Sequence, residues 1–380
     1  MLYFFFLIYK NKKVIYHKIN LPSRFDYIKY NIFYDDMKND YDVLNDLLKN
    51  KKVLYIPIYS CFSYQNQRLN FKADGNINRF LSTFYHVNDY ASLDIVCPQD
   101  GNDFDWFEKS VNDLLGSKTN LIKTDLIVKS AKIERSIEFA NDLYNYLNDK
   151  DDYDFIICEA QHLYMKFYDL YKDKLIYWCP VCATNNKTRD FLEPFKEYDK
   201  YILSISKYSI IASIDQLNYV MSLPYHGQVM QIESLIDREL PIFDYKKDED
   251  TMNLINNFND KKIVYLPFRL TDLGYKTQEI VDYIYNKHEY DVEVLFSNPN
   301  DCDYFKFSGD DEAKKSWMKE KFHLVSKNRE VFYTIIDYGD VIIPYFEDID
   351  FIMHASYIEF MYGNCKVART LEDFNNILNA

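Results

Sequence analysis

The stretch KKIVYLPFRLTDLGYKTQEIVDYIYNKHEYDVEVLFSNP, residues 261–299, decides how the rest of the chain is read. It opens on KKIVYLP, an apolar run too short for a helix and long enough for a strand buried on both faces. A polar loop with Arg269, Thr271, Asp272 and Gly274 follows, and then an amphipathic segment that predicts a helix over Tyr275–His288. DVEVLFSNP reads as a second strand. Strand, loop, helix and strand in this order predict a parallel pair joined by a right-handed crossover.

The same alternation runs outwards in both directions. Downstream come a helix over Asp310–Lys321, the strand HLVS, a helix over Asn328–Tyr338, the strand DVIIPYF, a helix over Ile352–Tyr362, the strand CKVAR and a short helix from Leu371. Upstream the expected strands are KKVLYIPIYS (51–60), ASLDIVCP, NLIKTDLIV, DYDFIICEA, KLIYWCP, KYILSIS and QVMQIES. Between them lie expected helices at Ile77–Val87, Asp103–Leu115, Lys129–Asn148, Gln161–Tyr171, near Arg189–Tyr198, and at Tyr208–Met221. Residues 20–50 read as irregular. The opening LYFFFLIY followed by KNKKVIYHKI reads as a buried strand or hairpin, since eight apolar residues are too few to span a bilayer and the flanks do not suit a signal peptide.

The charged stretch FDYKKDEDTMNLINNFNDKK (243–262) separates the two runs. The expected architecture is therefore α/β, with two Rossmann-like doubly wound domains over residues 1–245 and 246–380 facing a cleft. In such sheets ligands sit beyond the carboxyl ends of the strands, near the point where strand order reverses.

Composition narrows the function. The chain has 380 residues, with 45 Lys+Arg against 59 Asp+Glu and a net charge of −14. This balance argues against general affinity for nucleic acid, which needs cations to displace counterions from phosphates. Only 8 glycines disfavour chemistry built on glycine-rich loops. Seven scattered cysteines suit a reducing cytoplasm better than a disulfide scaffold. Asn, Tyr, Ile, Lys and Asp, all read from AT-rich codons, are heavily used. No metal-binding cluster stands out, and no membrane partner is expected.

Candidate chemistry lies just after strands. Arg269 and the Thr271–Gly274 loop, with the helix start beyond, can receive an anion through backbone N–H groups and a guanidinium fork. After DVIIPYF, acidic residues lead to a helix with His354, Ser356 and Glu359, and a carboxylate there can take both hydroxyls of a ribose. In the N-terminal half, Asp74 stands at a helix start, where an N-cap is the commoner job and a general base toward an acceptor hydroxyl the alternative. Glu159 and His162 follow a strong strand and are further candidates for a base. His86 and His226 are weaker ones. Arg68–Lys72–Arg79 and Lys187–Arg189 are small basic patches suited to an acceptor. Trp178-Cys179-Pro180-Val181-Cys182 looks like the thioredoxin active-site run, although buried strand-end cysteines fit the surrounding array better.

Glu359-Phe360-Met361-Tyr362-Gly363-Asn364-Cys365-Lys366-Val367 and Phe268-Arg269 together resemble the C-terminal half of GT-B glycosyltransferases, over residues 261–375 and the two-domain layout. The Phe268-Arg269 unit, with Phe296-Ser297-Asn298 after the next strand, also resembles T-even phage DNA beta-glucosyltransferases. The glycine-rich segment of many GT-B members is replaced here by His354-Ala355-Ser356. The resemblance implies transfer of a sugar from a nucleotide-sugar, a UDP-sugar as co-substrate, to an acceptor hydroxyl, with no cofactor required. It implies a donor site at Arg269, Thr271, Gly274, His354, Ser356 and Glu359, and a base on the N-terminal side among Asp74, Glu159 and His162. A hydroxymethylated base in phage DNA leads as acceptor, which would place the enzyme in a host cytoplasm, with glycan, protein and small molecule also open. Two other classes stay open: a thiol–disulfide oxidoreductase using Cys179 and Cys182, and a catalytically inactive binding protein with the same fold.

Overall fold

A computed structural model describes residues 4–10, 13–19, 32–57, 75–98, 103–124, 141, 143–145, 152–159, 161–179, 196–212, 214–232, 246–259, 261–266, 277–287, 291–297, 304–326, 328–338, 341–344, 364–368 and 371–379. The chain begins with the antiparallel hairpin β1 (Phe4–Lys10) and β2 (Lys13–Ile19), paired from Phe4↔Ile19 to Lys10↔Lys13. Helix α1 (Ile32–Leu48) follows, where the sequence reads as irregular. Its many acids hide a helical stripe: Tyr41, Leu44 and Leu48 are buried at spacings of three and four.

The first parallel array comprises β3 (Lys52–Ile56), α2 (Gly75–His86), β4 (Ser92–Pro98), α3 (Phe104–Leu115), β5 (Thr119–Thr124), β6 (Phe155–Cys158), α4 (Gln161–Tyr171), β7 (Leu175–Cys179), α5 (Lys196–Ile205), β8 (Tyr208–Ile211), α6 (Ile214–Met221) and β9 (Gln228–Gln231). Its seven described strands pair in the order β5-β4-β3-β6-β7-β8-β9, all parallel. Alternate residues of each strand face opposite sides. Val53, Tyr55, Ile95, Ile157, Trp178 and Ile210 pack in one core with α1, α2 and α3, while Leu54, Ile56, Cys158, Tyr177, Cys179 and Ile211 pack in another with α4, α5 and α6. Burial on both faces is why these strands read as unbroken apolar runs. At the far edge, the Asp40 carboxylate of α1 accepts from the backbone N–H of Gln231 on β9 at 2.7 Å.

KYILSIS belongs to α5 and not to a strand, and the strand is the next run, Tyr208–Ile211. Asp199, Ile202, Leu203 and Ser206 are buried at helical spacing, so the segment's apolar residues serve one helix face. The long helix expected over Lys129–Asn148 lies mostly outside the described residues.

The second array begins inside the charged stretch. Asp248 caps α7 (Glu249–Asn257), accepting from Thr251 N at 2.8 Å, and its own backbone N–H donates to Thr334 Oγ1 at 2.8 Å. Then come β10 (Lys262–Leu266), α8 (Thr277–Asn286), β11 (Val292–Phe296), a 3-10 turn (Tyr304–Ser308), α9 (Glu312–Lys321), β12 (Phe322–Leu324), α10 (Arg329–Asp337), β13 (Val341–Pro344), β14 (Lys366–Ala368) and α11 (Leu371–Asn379). The strands pair in parallel in the order β12-β11-β10-β13-β14 around one core. Both arrays thus start at a central strand, step outwards on one side, and return to the other side of that strand. This is the doubly wound Rossmann order, with reversal points between β3 and β6 and between β10 and β13.

Candidate functional site

The chain leaves β10 at Leu266 and β13 at Pro344, the two strands that flank the reversal point of the second sheet. Arg269, Thr271 and Gly274 belong to the segment between β10 and α8. His354, Ser356 and Glu359 belong to the segment between β13 and β14. Both segments, with the helix expected over Ile352–Tyr362, lie outside the described residues. Both therefore depart from the carboxyl ends where ligands of such sheets gather.

On the first sheet, the reversal point between β3 and β6 is occupied by a buried charged cluster. Glu159 follows β6 directly, and its backbone N–H donates to Ile56 O at 3.1 Å. Its side chain is fully buried. Oε1 accepts from Tyr55 Oη on β3 at 2.9 Å and from Nη2 of Arg79 on α2, with which it forms an ion pair. The side chain of Arg79 is 3% exposed, and its guanidinium lies 4.9 Å from the centre of the Trp178 ring on β7. Tyr55 packs between Phe80, Phe84 and Trp178 at ring distances of 5.3–5.8 Å.

This placement changes two readings of the sequence. Arg79 is not part of an exposed basic patch, because α2 is buried continuously from Arg79 to Phe84. Glu159 stands where a base was sought, yet its carboxylate is enclosed by a guanidinium and a phenol. Asp74 lies outside the described residues and immediately precedes Gly75, the first residue of α2. His162 is the second residue of α4, its side chain outside what is described. His86 closes α2 at the surface, its ring 5.5 Å from that of Tyr41, and His226 is exposed, with Nδ1 3.0 Å from the carbonyl of Gly227.

On the opposite face of the same rim a second polar cluster surrounds Asp199, which is fully buried in the first turn of α5. Gln161 Nε2 donates to Oδ1 at 2.9 Å, Tyr177 Oη donates to the same oxygen, and the Cys179 thiol donates to Oδ2 at 3.5 Å. Gln216 links the cluster to β8, accepting from Ala212 N at 2.6 Å and donating to Cys179 O at 3.4 Å. A buried thiol that donates to a carboxylate is the reverse of the electropositive, accessible setting that activates a redox cysteine. Cys182 lies outside the described residues. Burial pushes the Cys97 thiol up to about 12 against the opposing pull of Lys123.

Tyr55 and Asp199 were not legible as site residues, and Arg79 was read as part of an exposed basic patch rather than as a buried partner of Glu159. The signal lay in position: each polar side chain falls at or beside the carboxyl end of a buried strand, or on a helix face otherwise apolar. Among the described residues there is no cluster of His, Cys, Asp and Glu that could hold a metal ion, and no helix long and apolar enough to cross a membrane.

No protein-family model and no curated protein matches the chain. Among solved structures it is similar to Anabaena Alr3699/HepE in complex with UDP and glucose, at 10% identity and a TM-score of 0.50, over 87% of this chain and 89% of that one. It is also similar to the sucrose-phosphate synthase tll1590 of Thermosynechococcus elongatus, at 14% identity and a TM-score of 0.50, over 77% and 81%. At these identities the likeness establishes the fold, an α/β arrangement of GT-B type.

Proposed function

We propose that the chain is a nucleotide-sugar-dependent glycosyltransferase that moves a sugar from a UDP-sugar to an acceptor hydroxyl. The observation that carries this reading is topological. The two segments chosen from sequence as the donor site, one with Arg269, Thr271 and Gly274 and one with His354, Ser356 and Glu359, leave the two strands that flank the reversal point of the second sheet. The structure of HepE, similar across nearly all of both chains, holds UDP and glucose, which supports a UDP-sugar as donor. We place the boundary between donor and acceptor domains at residues 245 and 246, with the site in the cleft between them and the base on the N-terminal side. Arg269 and the start of α8 would stabilise the leaving diphosphate, while Glu359 takes the ribose.

Thermal denaturation with UDP and a panel of UDP-sugars tests the reading. Ligand at a hundredfold excess over Kd stabilises by about 2.7 kcal/mol, and this gain is expected to vanish in Arg269→Ala and Glu359→Ala. A chain that no nucleotide stabilises overturns it. The acceptor suggested by the likeness to phage enzymes is a hydroxymethylated base in DNA, and the net charge of −14 counts against it. Transfer of labelled sugar to hydroxymethylated but not to unmodified DNA would establish that acceptor. Its absence leaves a glycan, a protein or a small molecule.

A further inference from the structure

We infer that the N-terminal hairpin is a docking element for an anionic lipid surface, an inference that stands apart from the transferase reading. Among the described strands, β1 and β2 form a sheet of their own, and neither joins the ladder of either larger sheet. Residues paired across the ladder share a face, so the register sorts the hairpin into two. Phe4, Phe6, Ile8, Ile15 and Ile19 fall on one face with His17, and the pair Lys10↔Lys13 closes it at the turn. Phe5, Leu7, Tyr9, Val14 and Tyr16 fall on the other with Lys18. Both faces are mostly apolar, and two strands alone make no interior in which to bury either.

Charge decides which surface this hairpin fits. Residues 1–25 hold Lys10, Lys12, Lys13, Lys18 and Arg24, 5 of the 45 basic residues, and none of the 59 acidic ones. The remainder holds 40 against 59, a net of −19. That acidic remainder can cover one face of the hairpin and leaves the other. A second copy is a poor occupant, because hairpin on hairpin sets lysines against lysines. A bilayer bearing anionic headgroups takes the lysines, each worth about fivefold in binding. It repels the rest of the chain, so contact is confined to this segment. Eight apolar residues are too few to cross a bilayer, and a sheet with open edges cannot enter hydrocarbon. Neither limit bars a hairpin that lies in the headgroup layer, where water reaches the strand edges. Tyrosine concentrates at that depth, which assigns the face of Tyr9 and Tyr16 to the lipid.

The experiment floats the full chain with vesicles of phosphatidylcholine alone and of phosphatidylcholine mixed with phosphatidylglycerol. Binding to the mixed vesicles only is expected, and it should be lost in about 1 M salt, where the screening length is about 3 Å. The triple variant Lys10→Ser, Lys12→Ser, Lys13→Ser should bind about a hundredfold more weakly, while the same three lysines changed to arginine should bind as wild type. Phe5→Ser with Leu7→Ser should weaken binding as well. The unfolding midpoint of the parallel arrays is the control for folding, and the two lysine variants carry the test should the serines at Phe5 and Leu7 unfold the hairpin. No binding to the mixed vesicles, equal binding to both kinds, or wild-type binding by the lysine-to-serine variant overturns the proposal. So does a dimer, seen by sedimentation without lipid, that the Phe5→Ser, Leu7→Ser variant dissociates, since the hairpin would then be a contact between copies.

Discussion

Each sheet holds a paired carboxylate, and the two are held in opposite ways. On the first sheet Glu159 sits beyond the carboxyl end of β6, sealed with Arg79 under aromatic rings. On the second, Glu293 sits near the amino end of β11, and its partners reach it from the surface: Lys261 Nζ at 2.6 Å, Lys321 Nζ at 3.4 Å and His323 Nε2 at 2.8 Å. Lys261 is 33% exposed and can turn into water if its partner is lost, whereas the Arg79 side chain is 3% exposed. The same pairing of charges thus serves as a staple at the end of a sheet remote from ligands, and as a rigid fixture at the end where this fold gathers them.

Neutralising each carboxylate breaks the comparison open. Glu159→Gln takes the carboxylate away from a buried guanidinium, and a loss of roughly 3–5 kcal/mol is expected in urea unfolding. Glu293→Gln leaves lysines that rehydrate, and about 1–2 kcal/mol is expected. Acid sharpens the second figure. Burial opposes ionisation of Glu293, but hydrogen bonds from Lys261 and His323 and the charge of Lys321 outweigh it and hold the carboxyl below its ordinary range. A carboxyl lowered by folding contributes stability in full above its unfolded value, about 4.3, and loses it as pH falls through the folded one. The gap between wild type and Glu293→Gln should therefore be widest above about pH 5 and close as the pH falls below the ordinary carboxylate range. The smallest effect belongs to a site outside both clusters. Asn328 caps α10 by accepting from Val331 N at 2.7 Å, and Asn328→Ala should cost about 1 kcal/mol at every pH.

The alternation of strands and helices was legible because a strand buried on both faces has no polar period to confuse it, as in KIVYL and VEVLF. Residues 32–48 misled because their apolar residues occupy a narrow stripe among acids. KYILSIS misled because adjacent Ile202 and Leu203 mimic a strand when the polar partner of the stripe, Asp199, is itself buried. The strand ends from which the candidate donor segments depart, Leu266 and Pro344, were legible as the ends of apolar runs. The pairing of Arg79 with Glu159 was not, since 80 residues separate them and only the sheet order brings them together.

The bond from Gln231 to Asp40 spans 191 positions of the chain. At about 5–20 residues per second, a ribosome makes α1 and then needs on the order of 10–40 s to deliver the strand that α1 covers. Nascent chains halted before residue 228 should hold α1 through Asn45 and Asp89, 2.9 Å apart, with the face that meets β9 still open.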